Sequence, residues 1–101
     1  MKKLYLDDIR TPKTEGWIVV RNYEDFVAWV RLNGCPDEVS FDHDLGENTE
    51  KTGYDAAKWL GQHCLLTDTL YPKWNVHSAN PIGKANIEAY IQNVIKHQNQ
   101  L

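Results

Sequence analysis

The fold of the 101 residues is limited most strongly by an alternation between two kinds of segment. Short apolar segments that end in polar residues alternate with segments in which apolar residues recur at helical spacing. Strands are predicted at residues 3–7, 17–20, 38–41 and 74–76, and helices at residues 23–33, 54–64 and from residue 81 onward. Strands that alternate with helices favour right-handed crossovers and a mainly parallel sheet. We therefore expect a three-layer α/β fold around a mainly parallel four-stranded sheet.

The length fits a single domain over residues 1–101, and no linker or low-complexity stretch divides it. Eleven Lys and Arg against fourteen Asp and Glu give a net charge of −3, and the scattered basic residues predict no binding to duplex DNA or membrane. Cys35 and Cys64 lie in unrelated surroundings, without the spacing of a zinc knuckle or disulfide scaffold. The segment before Asp7 is too short for a signal peptide. We expect a cytoplasmic protein with reduced thiols.

Three of the predicted strands end in polar clusters, which parallel strands bring to one edge of the sheet. The clusters are Asp7-Asp8, Asp42-His43-Asp44 and His77-Ser78. Neighbouring carboxylates repel one another unless a cation neutralises them, and oxygen ligands favour Mg²⁺ over zinc, with Mn²⁺ or Ca²⁺ as alternatives. We predict a divalent metal site at Asp7, Asp8, Asp42 and Asp44, with the choice of Asp42 or Asp44 as inner ligand left open. The structural alternative is that these aspartates cap helices or solvate loop starts.

The histidines in these clusters are candidates for proton transfer. Imidazoles titrate near neutral pH, so His43 and His77 could act as base and acid on a phosphodiester or cyclic phosphate. Ser78 is a third catalytic candidate, with hydrogen bonding to a phosphoryl oxygen favoured over nucleophilic attack. The structural alternative is the more common one for such positions: a satisfied histidine at a strand end, and a turn residue in the case of the serine.

Substrate binding is predicted for Arg10, Asn80 and Lys84. Arg10 can grip a phosphate bidentately, and a salt bridge to Asp8 or Asp44 is its structural alternative. Asn80 is an N-cap candidate, and the helix that it begins would attract an anion at its N-terminus, with Lys84 adding positive charge in the first turn.

Three motifs lie at the strand ends: Leu-Tyr-Leu-Asp-Asp at residues 4–8, Phe-Asp-His-Asp-Leu-Gly at 41–46 and Val-His-Ser-Ala-Asn at 76–80. Together they resemble the cyclic-phosphate processing receiver domain family over nearly the whole chain. The resemblance implies a receiver-like (flavodoxin-like) fold and a metal-dependent site that acts on a cyclic phosphate at an RNA end or in a nucleotide. In the related response-regulator receivers, an acidic pair after strand 1 and an aspartate after strand 3 hold Mg²⁺, and a Ser or Thr ends strand 4. The matching positions here are Asp7 and Asp8 for the acidic pair, Asp42 or Asp44 for the single aspartate, and Ser78 for the end of strand 4.

The chain also departs from an ordinary receiver. A loop over residues 11–16 stands in place of the first helix, two histidines are added, and no fifth strand with its terminal lysine is predicted, for which Lys84 is a candidate substitute. We expect a truncated receiver-like domain with metal-dependent phosphoesterase activity on a cyclic phosphate. Two alternatives stay open: a non-catalytic module that binds or sequesters a nucleotide, and a degenerate receiver used for protein contact.

Overall fold

A computed structural model describes residues 1–46 and 49–100. The elements in chain order are β1 (Lys3–Leu6), β2 (Trp17–Val20), α1 (Tyr23–Asn33), β3 (Glu38–Phe41), α2 (Gly53–Leu66), β4 (Lys73–Val76) and α3 (Pro81–Asn99). The predicted α/β architecture is confirmed, with four strands and three helices. Glu47 and Asn48, between β3 and α2, lie outside the described residues.

The four strands form one parallel sheet in the order β2-β1-β3-β4. Leu4 of β1 is in register with Ile18 of β2 on one side and Val39 of β3 on the other. The ladder continues one residue beyond three strands: the amides of Asp7, Asp42 and His77 donate to the carbonyl oxygens of the neighbouring Val20, Leu6 and Phe41, respectively. The register therefore carries the predicted polar clusters to a single edge of the sheet.

Each helix begins at a side chain that accepts a backbone N–H. Asn22 caps α1 by accepting from the Asp25 amide at 2.7 Å, and Thr52 and Asp55 form a reciprocal capping box at the start of α2. Asn80 caps α3 ahead of Pro81, as the sequence predicts. None of the helices in residues 1–46 and 49–100 is long and apolar enough to span a membrane.

One face of the sheet carries the hydrophobic core. Side chains of β1 and β3 that share this face, such as Leu4 and Phe41, are fully buried against residues from all three helices, including Phe26, Leu60 and Ile87. Helix α2 packs between α1 and α3. The described residues thus form two layers rather than the three expected, because the chain from β1 to β2 contains a loop where a receiver has a helix.

The opposite side of the sheet, which we call the open face, carries the alternate side chains of the same strands. It consists of Lys3, Tyr5, Trp17, Val19, Glu38, Ser40, Lys73 and Asn75. Trp17 packs edge-on against Tyr5, with ring centroids 5.8 Å apart, and the Lys3 ammonium lies 4.6 Å from the Trp17 ring centroid. No helix in the described part of the chain covers this face.

The side chains of the two cysteines lie next to each other. The Sγ atoms of Cys35 and Cys64 lie 3.4 Å apart, although 29 positions separate the residues in the chain. Burial, together with the neighbouring Cys35, raises the pKa of the Cys64 thiol to about 12. The expectation that their surroundings are unrelated is wrong, because α1, which ends just before Cys35, packs against α2, which contains Cys64.

Candidate functional site

Asp7, Asp42 and His77 form a compact group at the carboxyl edge of the sheet. One carboxylate oxygen from each aspartate and one imidazole nitrogen of His77 all lie within 4.8 Å of one another. The aspartates are almost inaccessible, with 1% of Asp7 and 5% of Asp42 exposed. Their strands, β1 and β3, are adjacent and β4 follows, so the sheet order itself assembles the group.

Asp7 is held by hydrogen bonds to both of its carboxylate oxygens. Oδ1 accepts from the amides of Ile9 at 2.9 Å and Arg10 at 2.8 Å, and Oδ2 lies 3.0 Å from His77 Nε2. Burial acts to raise the pKa of Asp7, but these amides and His77 outweigh it, and the net pKa is lowered. Asp7 is therefore an oriented anion.

Asp42 has the opposite balance. Burial, and after it the charge of Asp7, raise the pKa of Asp42, and hydrogen bonds from the Ser78 hydroxyl and the His43 amide offset this only in part. Ser78 Oγ in turn accepts from the Asn80 amide at 3.1 Å. Two neighbouring buried carboxylates whose mutual repulsion is relieved only in part are suited to a bound cation.

Both ring nitrogens of His77 have partners. Nδ1 lies 2.7 Å from Ser40 Oγ, opposite the contact to Asp7, and the ring stacks on Tyr5 with centroids 4.3 Å apart and planes 7° apart. Ser40 and Tyr5 were not predicted as site residues. Each lies two positions before a site aspartate, so strand alternation places it on the same side of the sheet, and that periodicity is the signal for finding them.

His43 belongs to a separate group at the start of α3. Its Nδ1 lies 2.9 Å from Asp44 Oδ1, and Asn80 Nδ2 donates to the same carboxylate at 3.4 Å. The hydrogen bond from His43 lowers the pKa of Asp44. The His43 ring also packs on Gly83, where any side chain would overlap it. The contacts of His43 and His77 therefore differ, and the two imidazoles do not share a partner among the described residues.

A cavity of about 600 Å³ opens beside the buried carboxylates. It is lined by Asp7, Asp8, Ile9, Arg10, Asp42, Asp44, Gly46 and Ala79. The structure thus brings all four predicted metal ligands and Arg10 to one cavity. The remaining predicted site residues do not line it: His43, His77, Ser78, Asn80 and Lys84. Arg10 is half exposed, with Nε 3.9 Å from Asp7 Oδ2 and Nη1 donating to the His77 carbonyl at 3.2 Å.

Two further residues that shape the site were not predicted from the sequence. Arg21 Nη1 donates to the carbonyl oxygens of Asp7 at 3.2 Å and Arg10 at 2.7 Å, which ties the acidic loop to the end of β2. Gly53, the first residue of α2, lies directly against the Asp42 carbonyl, and a side chain at this position would collide with it. The sequence does not identify this glycine as a site residue, because nothing local indicates how closely the two backbone segments approach.

The donor set fits a divalent cation. Asp7 and Asp42 supply buried carboxylate oxygens, which hard cations prefer, and His77 lies in the same group with its two ring nitrogens engaged by Asp7 and Ser40. Asp8 and Asp44 lie outside this three-residue group, and Asp44 is exposed and engaged with His43. Of the two aspartates that follow β3, Asp42 belongs to this group and Asp44 does not. The cluster can hold a metal ion, and its chemistry does not select one metal.

Comparison with known protein families supports this fold. Neither the curated proteins nor the solved structures that were searched contain a match to the chain. The family described as Cyclic-phosphate processing Receiver domain matches residues 2–93, which include every strand and every candidate site residue. The parallel sheet, the acidic edge and this match agree, and the chain belongs to the cyclic-phosphate processing receiver domain family.

Proposed function

We propose that the protein is a metal-dependent phosphoesterase that hydrolyses a cyclic phosphate on a nucleotide or at an RNA end. The observation that carries this proposal is the pair of buried carboxylates, Asp7 and Asp42, beside a cavity with Arg10 in its wall. A phosphate is an anion, so two acids favour its binding only when a cation offsets their charge. The family description supplies the cyclic phosphate as substrate class.

Asp7 and Asp42 would hold the metal, and their oxygen donors make Mg²⁺ the best candidate, with Mn²⁺ or Ca²⁺ as alternatives. When bound, a divalent cation would neutralise the two carboxylates and polarise the phosphate. His77 would orient Asp7 by donating from Nε2 while Nδ1 accepts the Ser40 hydroxyl proton. Asp8 and Asp44 would accept hydrogen bonds from water molecules in the cavity.

Proton transfer is assigned to the Asp44–His43 pair. Asp44 lines the cavity and can accept a proton from water, and the hydrogen bond that His43 Nδ1 donates to its Oδ1 at 2.9 Å orients this carboxylate. The water oxygen would bond to phosphorus, one P–O ester bond would break, and the same pair would return the proton to the leaving oxygen. The product is a phosphomonoester with one new hydroxyl group.

Substrate contacts are assigned first to Arg10, whose half-exposed guanidinium can bind phosphate oxygens at the cavity wall. Lys84, in the first turn of α3, would add positive charge at that helix end. Ser78 would act on the reaction by positioning Asp42, and Asn80 by capping α3 and donating to Asp44. We also propose that the protein is cytoplasmic, which is consistent with a nucleotide or RNA-end substrate.

A non-catalytic module that binds a cyclic nucleotide is the second candidate. One observation favours it: neither His43 nor His77 is among the described residues that line the cavity beside the carboxylates. In that function the carboxylates and Arg10 would still hold a metal and a phosphate, without proton transfer.

The two functions are separated by incubating the protein with a 2′,3′-cyclic nucleotide and Mg²⁺ and following the phosphorus by ³¹P NMR. We expect a phosphomonoester that fails to form with EDTA and fails to form with Asp7→Asn. Asp68→Asn is the matched control, because Asp68 is exposed and its positive φ of 53° suits asparagine. Tight binding without product would identify the binding module, and no binding of metal or nucleotide would favour a degenerate receiver used for protein contact.

The assignment of the proton-transfer pair has its own test. His43→Ala should lower kcat with little change in metal binding, whereas His97→Ala, at an exposed position near the end of α3, should leave both unchanged. Unchanged kcat in His43→Ala protein would remove His43 from the mechanism.

A further inference from the structure

A second cavity, of about 360 Å³, lies on the open face of the sheet. Its walls include Tyr5, Trp17, Ser40, Asn75, His77 and the segment 10–14. The volume falls within the range of about 300–1,000 Å³ that small-ligand pockets occupy. Except for His77 and Arg10, these residues have no part in the proposed hydrolysis, so the cavity is available for another part of a ligand.

The two cavities adjoin each other. Arg10 lines both of them. His77 forms part of the wall of the second cavity and contacts Asp7, which lines the first. A ligand with its phosphate beside Asp7 and Arg10 therefore has the second cavity next to it, on the other side of the Arg10 side chain.

The chemistry of the second cavity matches single-stranded nucleic acid. Trp17 and His77 offer partly exposed aromatic rings, and the buried Tyr5 packs against both. Arg10 and Lys13 are the charged residues of the cavity, with no acid among the described residues that line it. Aromatic rings that stack with bases, combined with cations that contact the backbone, are the usual components of single-strand binding surfaces. Asn75 adds an exposed amide that can hydrogen-bond a base edge.

Charge on the rest of the open face agrees with an anionic partner. The row of side chains next to the cavity contains Lys3 and Lys73 around a single acid, Glu38. The chain as a whole has a net charge of −3, so this cationic character is local. A second copy of the chain or an acidic peptide would use the charges without using the aromatic wall that joins the face to the phosphate site.

We propose that the second cavity binds the nucleotide that precedes a terminal 2′,3′-cyclic phosphate, so that the substrate is a single-stranded RNA 3′ end rather than a free cyclic mononucleotide. This inference rests on the proposed function and assigns its substrate class. The terminal cyclic phosphate occupies the carboxylate cavity, and the chain 5′ to it crosses the open face past Trp17 and Lys13.

The test compares a 2′,3′-cyclic mononucleotide with a tetranucleotide that ends in the same group, using the full chain with Mg²⁺. We expect kcat/KM to be at least tenfold higher for the tetranucleotide, mainly through KM, because one stacked base contributes at about that level. Lys13→Glu should abolish the preference and leave hydrolysis of the mononucleotide unchanged. Lys96→Glu, in the last turn of α3 and away from the open face, is the matched control.

Trp17 gives a second variant pair. Trp17→Ala should remove the preference and Trp17→Phe should retain part of it, whereas a purely structural role would change both substrates alike. Anisotropy of a 5′-labelled tetranucleotide supplies a readout independent of turnover. Equal kcat/KM for both substrates would overturn the RNA-end inference and leave the phosphoesterase intact. Binding that Lys13→Glu abolishes, without turnover of either substrate, would support the second cavity and contradict the phosphoesterase.

Discussion

The two faces of one sheet differ in almost every property. On the covered face, Leu4 and Phe41 are fully excluded from water by three helices. On the open face, their strand neighbours Lys3 and Ser40 lie beside Tyr5 and Trp17, and charged and polar residues at the margins surround the buried Tyr5 and Ser40. Residues one position apart in sequence therefore serve different purposes: the covered face stabilises the fold, and the open face is available for ligands.

The largest effect that tests this division is expected for a truncation on the covered face. Phe41→Ala should lower the free energy of unfolding by about 3–5 kcal/mol, because it opens a cavity in the core. Asn75→Ala, on the open face of the neighbouring strand β4, should change it by less than about 0.5 kcal/mol. Urea denaturation followed by circular dichroism measures both, and similar losses in the two variants would break the comparison.

A smaller effect of opposite sign is expected at the edge where the two faces meet. Burial and the charge of Asp7 raise the pKa of Asp42, so the ionised Asp42 destabilises the metal-free fold above its folded pKa. Asp42→Asn should therefore stabilise the protein in EDTA at pH 7, by less than Phe41→Ala destabilises it, and abolish thermal stabilisation by Mg²⁺.

Thermal melts between pH 4 and 7 check the sign of this effect. The gain from Asp42→Asn should grow as pH rises, because only the charged form of Asp42 is penalised. A gain that is independent of pH would contradict the electrostatic cause.

The capping box of α2 sharpens the comparison within the covering layer. Burial opposes ionisation of Asp55, but hydrogen bonds from Thr52 outweigh it and lower the pKa of Asp55. Asp55→Ala should cost about 1 kcal/mol at pH 7. A lowered carboxyl pKa stabilises the fold above the unfolded value, about 3.9, and this benefit is lost as pH falls through the folded pKa.

Unfolding curves at pH 7 and pH 3 provide the measurement. The difference between wild-type and Asp55→Ala protein should shrink at the lower pH, and an equal difference at both values would remove the ionised carboxylate as the cause.

The smallest effect on stability is expected at an exposed cation of the open face. Lys73→Gln should change the free energy of unfolding by less than about 0.5 kcal/mol. If RNA crosses this face, the same variant should weaken tetranucleotide binding a few-fold and reduce the dependence of Kd on salt. An unchanged salt dependence would exclude Lys73 from the path of the chain.

The elements of this fold follow closely from local patterns. The β2 bounds agree with the prediction at both ends, and the caps at Asn22 and Asn80 occur where side-chain chemistry indicates them. Clustering of the acidic strand ends also follows, because parallel strands leave their carboxyl ends at one edge. These features depend on periodicity, capping and sheet direction, which a single sequence contains.

The features that could not be predicted join residues far apart in the chain. The stack of His77 on Tyr5, the anchoring of the acidic loop by Arg21 and the contact of Cys35 with Cys64 depend on strand order and helix placement. Local periodicity does not determine which face of the sheet a helix covers. The sequence therefore could not show that all three helices pack on the same face, and a three-layer fold was expected. His43 and His77 were paired by motif, whereas tertiary packing separates their contacts.

The glycines that adjoin the acidic edge have a consequence for genetic screens. Gly53 lies against the Asp42 carbonyl and Gly83 against the His43 ring, and neither has room for a methyl group. Saturation mutagenesis scored by activity will rank both positions as intolerant, alongside Asp7 and Asp42. Scoring the same library for abundance will divide the four: substitutions at the glycines will deplete the folded protein, and Asp42→Asn will accumulate while inactive.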